Sequence, residues 1–181
     1  MRVIAGRFKG RRLAPAPPGV RPTSDRVRER LFAVLEPALA GVRVLDLCCG
    51  TGALGIEALS RGAASALFVD RSAPSLAVLE RNLAPLRAAA PELAMAVRRA
   101  EAVDFVRRQW PSPAPGLVFL DPPYGEPLGP ALLTALAERR PARVVYESED
   151  RDVDAPAGLV IERVLRFGDT RVTLLRGGEA P

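Results

Sequence analysis

From residue 42 onward, short apolar runs alternate with segments in which apolar residues return every three or four positions. The runs are too short for buried helices and read as strands; the spaced segments read as amphipathic helices. Residues 42–47 (VRVLDL) are a predicted strand, and 53–62 (ALGIEALSRG) a helix closed by Gly62. Strand 65–70 (SALFVD) precedes helix 73–86 (APSLAVLERNLAPL), then strand 93–100 (LAMAVRRA) precedes helix 102–110 (AVDFVRRQW). A Pro-rich loop, 111–115, leads to strand 116–121 (GLVFLD), helix 128–140 and strand 142–149 (ARVVYESE). The tail, 159–178, reads as two strands around a Phe167-Gly168-Asp169 turn. Strict alternation of strand and helix predicts βαβ units: an α/β, doubly wound, mostly parallel sheet covered on both faces, with an antiparallel C-terminal strand at one edge.

The first forty residues follow another pattern. Residues 1–13 (MRVIAGRFKGRRL) alternate apolar and basic positions around Gly6 and Gly10, as a short hairpin or extended arm would. The Pro-rich loop APAPPG (14–19) follows. Residues 21–39 then offer Thr23 and Ser24 as helix caps, with Val27, Leu31, Val34 and Leu35 at helical spacing. We expect one domain over 1–181: a basic arm to residue 20, a helix within 21–40, and a catalytic core from 42.

Composition narrows the chemistry. The 181 residues are 48% hydrophobic, enough for a core, and the apolar runs are too short to span a bilayer. The N-terminus lacks the apolar stretch of a signal peptide, so a cytoplasmic protein is expected. With no histidine, Ser-His-Asp and Cys-His catalysis and His-ligated metals are excluded. Two adjacent cysteines, Cys48 and Cys49, make neither a four-ligand zinc site nor a Cys-x-x-Cys redox pair. No metal is expected. Residues 1–24 carry Arg2, Arg7, Lys9, Arg11, Arg12 and Arg21 and no acid, a net of +6 in a chain of net +5. Codon bias in a GC-rich genome accounts for abundant arginine but not for this placement.

Two motifs sit at predicted strand ends, where a doubly wound sheet binds its ligand. In VLDLCCGTGALG (44–55), Gly50-x-Gly52-x-x-Gly55 has the spacing of a dinucleotide turn, and Asp70, fifteen residues past Gly55, ends the next strand. A carboxylate at Asp70 can accept both hydroxyls of an adenosine ribose. Asp46, just before the loop, would repel a pyrophosphate and attract the ammonium and sulfonium of S-adenosylmethionine. A capped βα turn and a nicotinamide site remain alternatives. Cys48 and Cys49 read as small packing residues, Cys48 near the cofactor.

The second motif, VFLDPPYG (118–125), is more specific. Two prolines remove two N–H donors and fix the backbone. The Asp121 carboxylate and Pro122 carbonyl remain as acceptors beside the flat face of Tyr124. This set suits a planar base with an exocyclic amine. Accepting both N–H bonds pulls that nitrogen toward tetrahedral geometry and localises its lone pair for attack on a sulfonium methyl.

DLCCGTGALG, VD and DPPY resemble the class I S-adenosylmethionine-dependent amino-methyltransferases. RVIAGRFKGRRL, RPTSDRVRERLF and GALGIEALSRGA extend the resemblance over the whole chain to the RsmD family, bacterial enzymes that methylate N2 of a guanine in 16S rRNA. The resemblance implies a Rossmann-like fold in which Asp46, Gly50 and Gly52 cradle the methionine part of the cofactor. It implies that Asp70 holds the ribose, Glu101 and Ala102 lie beside the adenine, and Thr23 and Ser24 reach the methionine carboxylate. Asp121, Pro122 and Tyr124 would form the amine site.

The arm GRFKGRR (6–12) then reads as an RNA contact: Arg7, Lys9, Arg11, Arg12 and nearby Arg21 for phosphates, Phe8 for stacking on a base. A solvated charged terminus is the plainer alternative. The expected partner is 16S rRNA, within the small ribosomal subunit or an assembly intermediate, and a monomer is favoured. A DNA adenine-N6 methyltransferase would share the amine chemistry but needs added recognition surface. A non-enzymatic RNA-binding module leaves the intact acids idle, and a nicotinamide oxidoreductase leaves Asp121-Pro-Pro-Tyr124 without a role.

Overall fold

The computed structural model describes residues 1–17, 24–123, 127–150 and 152–178. Its strands are β1 (Arg43–Leu47), β2 (Ser65–Asp70), β3 (Ala94–Arg99), β4 (Leu117–Leu120), β5 (Val144–Glu149), β6 (Leu159–Phe167) and β7 (Thr170–Gly177). The helices are α1 (Asp25–Leu35), α2 (Ala53–Ser60), α3 (Ala73–Ala89), α4 (Ala102–Arg108) and α5 (Leu128–Arg139). The seven strands form one sheet in the order β3-β2-β1-β4-β5-β7-β6. The first five pair in parallel, and the β6–β7 hairpin closes the β5 edge antiparallel. Among the described residues no helix is long and apolar enough to cross a membrane.

Each face of the sheet has its own core. On one, Leu31, Phe32 and Leu35 of α1, Ile56 and Leu59 of α2 and Leu79, Leu83 and Leu86 of α3 bury Val44, Phe68, Phe119 and Val145. On the other, Phe105 and Val106 of α4 and Leu132, Leu133 and Leu136 of α5 bury Leu45, Leu47, Val118 and Leu120. The central strands are covered twice, so their positions are mostly apolar, Asp46 of β1 being the buried exception. On α1, Phe32 is fully buried and stacks obliquely on Phe119, their centroids 5.7 Å apart, while Val34 only borders the core. Helix α3 runs through Pro85 to Ala89, past the predicted end. Proline's φ suits a helix, and the Arg81 carbonyl it leaves without a partner lies on the solvent side.

The N-terminal segment is a hairpin docked on the core rather than a loose arm. Arg2 pairs antiparallel with Arg12, and the amides of Val3 and Leu13 donate across the turn to the carbonyls of Arg11 and Met1. The end of α2 holds it. The fully buried Glu57 accepts the Ile4 and Ala5 amides at 2.8 and 3.0 Å. The Ser60 hydroxyl accepts the Phe8 amide and donates to the Ala5 carbonyl, and the Ser60 carbonyl accepts the Arg7 amide. Gly6 makes this approach possible: with φ +79°, a Cβ on it would fall 1.9 Å from the Ser60 carbonyl oxygen.

Two buried arginines balance the Glu57 charge. Arg61 donates to it at 2.8 Å, and Arg28 of α1 lies 3.7 Å away, fully buried. A second Arg28 nitrogen donates at 2.7 Å to the Arg2 carbonyl and to Asp25. The hairpin, α1 and α2 thus share one charge network.

Removing one partner of a buried ion pair leaves the other uncompensated. Glu57→Ala is therefore expected to cost about 3–5 kcal/mol in urea unfolding. It should also speed hydrogen exchange at the Ile4 and Ala5 amides well beyond the rest of the sheet, because those amides lose their acceptor.

Candidate active site

The carboxyl ends of β1, β2, β4 and β5 open into one cavity of about 550 Å³. Ser24, Asp46, Cys48, Gly50, Asp70, Glu101, Ala102, Asp121 and Pro122 all line it. Gly52 lies below, as the cap of α2 with φ +79°. Thr23, Tyr124 and Arg21 lie outside the described residues.

Asp46 is the hinge of the site. It is 1% exposed, and its Oδ2 accepts the Gly55 amide at 2.9 Å, tying β1 to the first turn of α2. Any side chain at Gly55 would break this contact, since a Cβ would stand 2.4 Å from the Phe68 ring and 2.9 Å from that oxygen. Burial pushes the Asp46 carboxyl up to about 8; the Gly55 amide pulls it down and the neighbouring Asp70 charge adds to the rise. Below about pH 8 the Asp46 carboxyl therefore keeps its proton until a cation comes close.

Asp70 anchors the loop. Its two oxygens accept the Gly50 and Ser72 amides, each at 2.8 Å. Each oxygen keeps a further lone pair, so hydroxyl ligands are still possible. The cysteines are not reactive thiolates. Burial, with the surrounding acids, pushes both thiols well above their ordinary value. Cys48 turns the chain with a left-handed φ of +57°, and Cys49 packs in the core.

Among the described lining residues, five are acids (Asp46, Asp70, Glu101, Asp121 and Glu147) and one, Arg71, is a cation. A pyrophosphate would meet strong repulsion there; a ligand carrying positive charge and hydrogen-bond donors would not. The nicotinamide alternative loses its electrostatic basis.

Sequence reasoning passed over several of these positions. Glu147 is 6% exposed and lies in the carboxyl-terminal half of β5, near the strand ends that carry Asp46, Asp70 and Asp121. Its position in ARVVYESE was the available signal. Phe167 and Thr170, flanking the β6–β7 turn, also line the cavity. Asn82 had no signal: from α3 it donates to the Thr51 carbonyl at 3.0 Å and accepts the Ala14 amide at 2.8 Å, linking the glycine loop to the chain leaving the hairpin.

The hairpin's candidate RNA contacts separate. Lys9 and Arg12 are exposed and Arg11 is half-buried. Arg7 is exposed but forms an ion pair with Glu92 and donates to the Ala89 carbonyl. Phe8 is 5% exposed and belongs to the hydrophobic core, which corrects the expectation that it stacks on a base. Phe8 sits in the turn of the hairpin, and with its amide held by Ser60 its ring packs into the core.

The strand order and the crevice of acids at the strand ends define the class I methyltransferase architecture. The chain belongs to the RsmD family of rRNA methyltransferases: the family model described as "Conserved hypothetical protein 95" matches residues 1–176. YlbH of Bacillus subtilis, named as a candidate rRNA methyltransferase, is 38% identical over 97% of this chain and 98% of its own. Ribosomal RNA small subunit methyltransferase D of Escherichia coli is 40% identical over 68% of this chain and 60% of its own. The solved structure of yhhF from Escherichia coli, a candidate methyltransferase, superposes with a TM-score of 0.82 at 33% identity, over 98% of this chain and 97% of that one.

Because the Asp46 carboxyl titrates near 8 in the fold and near 3.8 unfolded, the folded state holds the extra proton between those values. Stability then falls as pH rises from about 4 to about 8. Asp46→Asn keeps an acceptor for Gly55 and removes the titration. Its melting temperature should gain on the parent across that range, by at least about 3 °C near pH 8, and the difference should level off above it.

Proposed function

We propose that the protein transfers a methyl group from S-adenosylmethionine to the exocyclic N2 amine of a guanine in small-subunit ribosomal RNA. The observation that carries this reading is the single acidic cavity shared by the Asp46–Gly50 loop and the Asp121-Pro122 strand end. Family membership and the printed names of the RsmD relatives support rRNA as the substrate class.

The residues present suit the cofactor. The fully buried Asp46 gains a counter-charge when a cationic ligand enters, which offsets the burial that holds its carboxyl at about 8. Asp70 has lone pairs left for a ribose diol, and Glu101 and Ala102 stand at the head of α4, on the far side of the cavity, for the adenine. Ser24 caps α1 through the Val27 amide and faces the same cavity, near the place for the methionine end. Bound there, S-adenosylmethionine supplies an electrophilic methyl on its sulfonium.

The chain's own work is orientation and polarisation. The Asp121 carboxylate and the Pro122 carbonyl accept the two amine hydrogens and localise the nitrogen lone pair toward the methyl. Asp121 then steadies the positive charge that develops on nitrogen until its proton is released. Cys48, Ala53, Leu54 and Leu128 add apolar lining to the same cavity.

The exposed Lys9 and Arg12, with Arg11, face solvent from a hairpin whose backbone is fixed to α2. A rigid set of cations loses little entropy on meeting a phosphate backbone. Arg21 and Tyr124 complete the proposed RNA contact and amine site.

The direct test incubates the protein with methyl-labelled cofactor and undermethylated small ribosomal subunits and maps the labelled nucleotide. Label on a guanine N2 is expected; label elsewhere, or none, overturns the reading. Asp121→Ala should lower transfer at least about 100-fold while cofactor affinity, measured by calorimetry, stays within a factor of a few. Replacing Lys9, Arg11 and Arg12 together by Gln should weaken RNA binding and reduce the slope of log affinity against log salt by about 2, given ~0.7–0.9 per phosphate contact.

A further inference from the structure

The cavity holds one acid that neither the cofactor nor the amine needs. β4 and β5 run parallel with Leu120 level with Tyr146, so their next residues, Asp121 and Glu147, stand abreast on neighbouring strands, about 4.8 Å apart. In-register residues of parallel strands project to the same face. Two residues earlier, Phe119 and Val145 both enter the core on the α1 side, which places Asp121 and Glu147 on that side as well. Both line the cavity. Phe167 and Thr170 close the same lobe, away from the glycine loop. Glu147 is almost wholly buried and is engaged within the protein. A carboxylate offers about four lone-pair sites, so one protein contact still leaves capacity for a ligand.

The amine-bearing bases differ in the ring atom beside the amine. Adenine places a bare N1 next to its N6 amine, and cytosine a bare N3 next to its N4 amine. Guanine alone places a donor, N1–H, next to N2. A second carboxylate abreast of the amine acceptor therefore accepts from guanine and opposes a lone pair in adenine or cytosine.

We propose that Glu147 is the residue that selects guanine: its carboxylate accepts N1–H while Asp121 and Pro122 hold the N2 amine. This rests on the amine-site reading above. A site built to hydrogen-bond a substrate group rejects analogues that lack it far more strongly than a merely apolar pocket does.

The test uses small ribosomal subunits reconstituted with rRNA that carries either guanine or 2-aminopurine at the target position. 2-Aminopurine keeps the C2 amine but has a bare N1. The parent protein should prefer guanine by about 100-fold or more in kcat/KM. Glu147→Gln, whose amide can donate to a bare N1, should cut that preference at least tenfold, and Glu147→Ala should also lower it. Cofactor affinity should hold in both variants. The measure is a quotient, so a general loss of activity or folded fraction cancels. An unchanged quotient in either variant overturns the assignment of Glu147 while the amine site stands. No transfer to guanine by the parent protein overturns both.

Discussion

A single hydrogen bond between a strand and the helix that follows it organises the molecule: the Gly55 amide donates to the buried Asp46 carboxyl, 2.9 Å away. β1 is the strand from which the parallel sheet grows in both directions, toward β2 and β3 and toward β4 and β5. Tethering the start of α2 to its end fixes the turn of the glycine loop. It also sets the height of Asp70, which grips Gly50 from the neighbouring strand. The cost is a carboxyl forced to keep its proton near neutral pH, and the cavity in front of it is where that cost is offset by a cationic ligand. Stability and ligand binding draw on the same atom in opposite senses.

Much of the fold was legible because parallel strands covered on both faces carry near-continuous apolar runs, and such runs stand out against helical spacing. Thus the strand read at 65–70 matches β2 to the residue, and the one read at 142–149 contains β5, which starts two residues later. Helix ends were less readable. α3 passed through Pro85 because an exposed carbonyl can turn to water, and α4 stopped two residues short of Trp110. At the site, the acids that end predicted strands were found because the topology of a doubly wound sheet gathers strand ends. Glu147 obeyed the same rule and was passed over, since no glycine or proline flagged it.

What composition could not reveal was where a basic terminus would be held. Phe8 reads as an aromatic among cations, yet the docked turn carries it into the core cluster that holds Val3 and Leu13. Its anchor, Glu57, sits inside GALGIEALSRGA with Arg61 four residues on, a pairing equally common on a solvated helix face. Only the assembled structure brings Arg28 from α1 against it. Long-range charge pairing leaves no periodic trace in a sequence.

Asn82 joins two regions that would otherwise be separate. One amide group bonds the carbonyl of Thr51 in the glycine loop and the amide of Ala14 just beyond the hairpin. A clasp of this kind obeys reciprocity: whatever free energy a ligand in the loop lends to the order of the hairpin, a ligand on the hairpin lends back to the loop in equal measure. The clasp thereby makes the glycine loop and the hairpin one thermodynamic unit, in which any coupling acts equally in both directions.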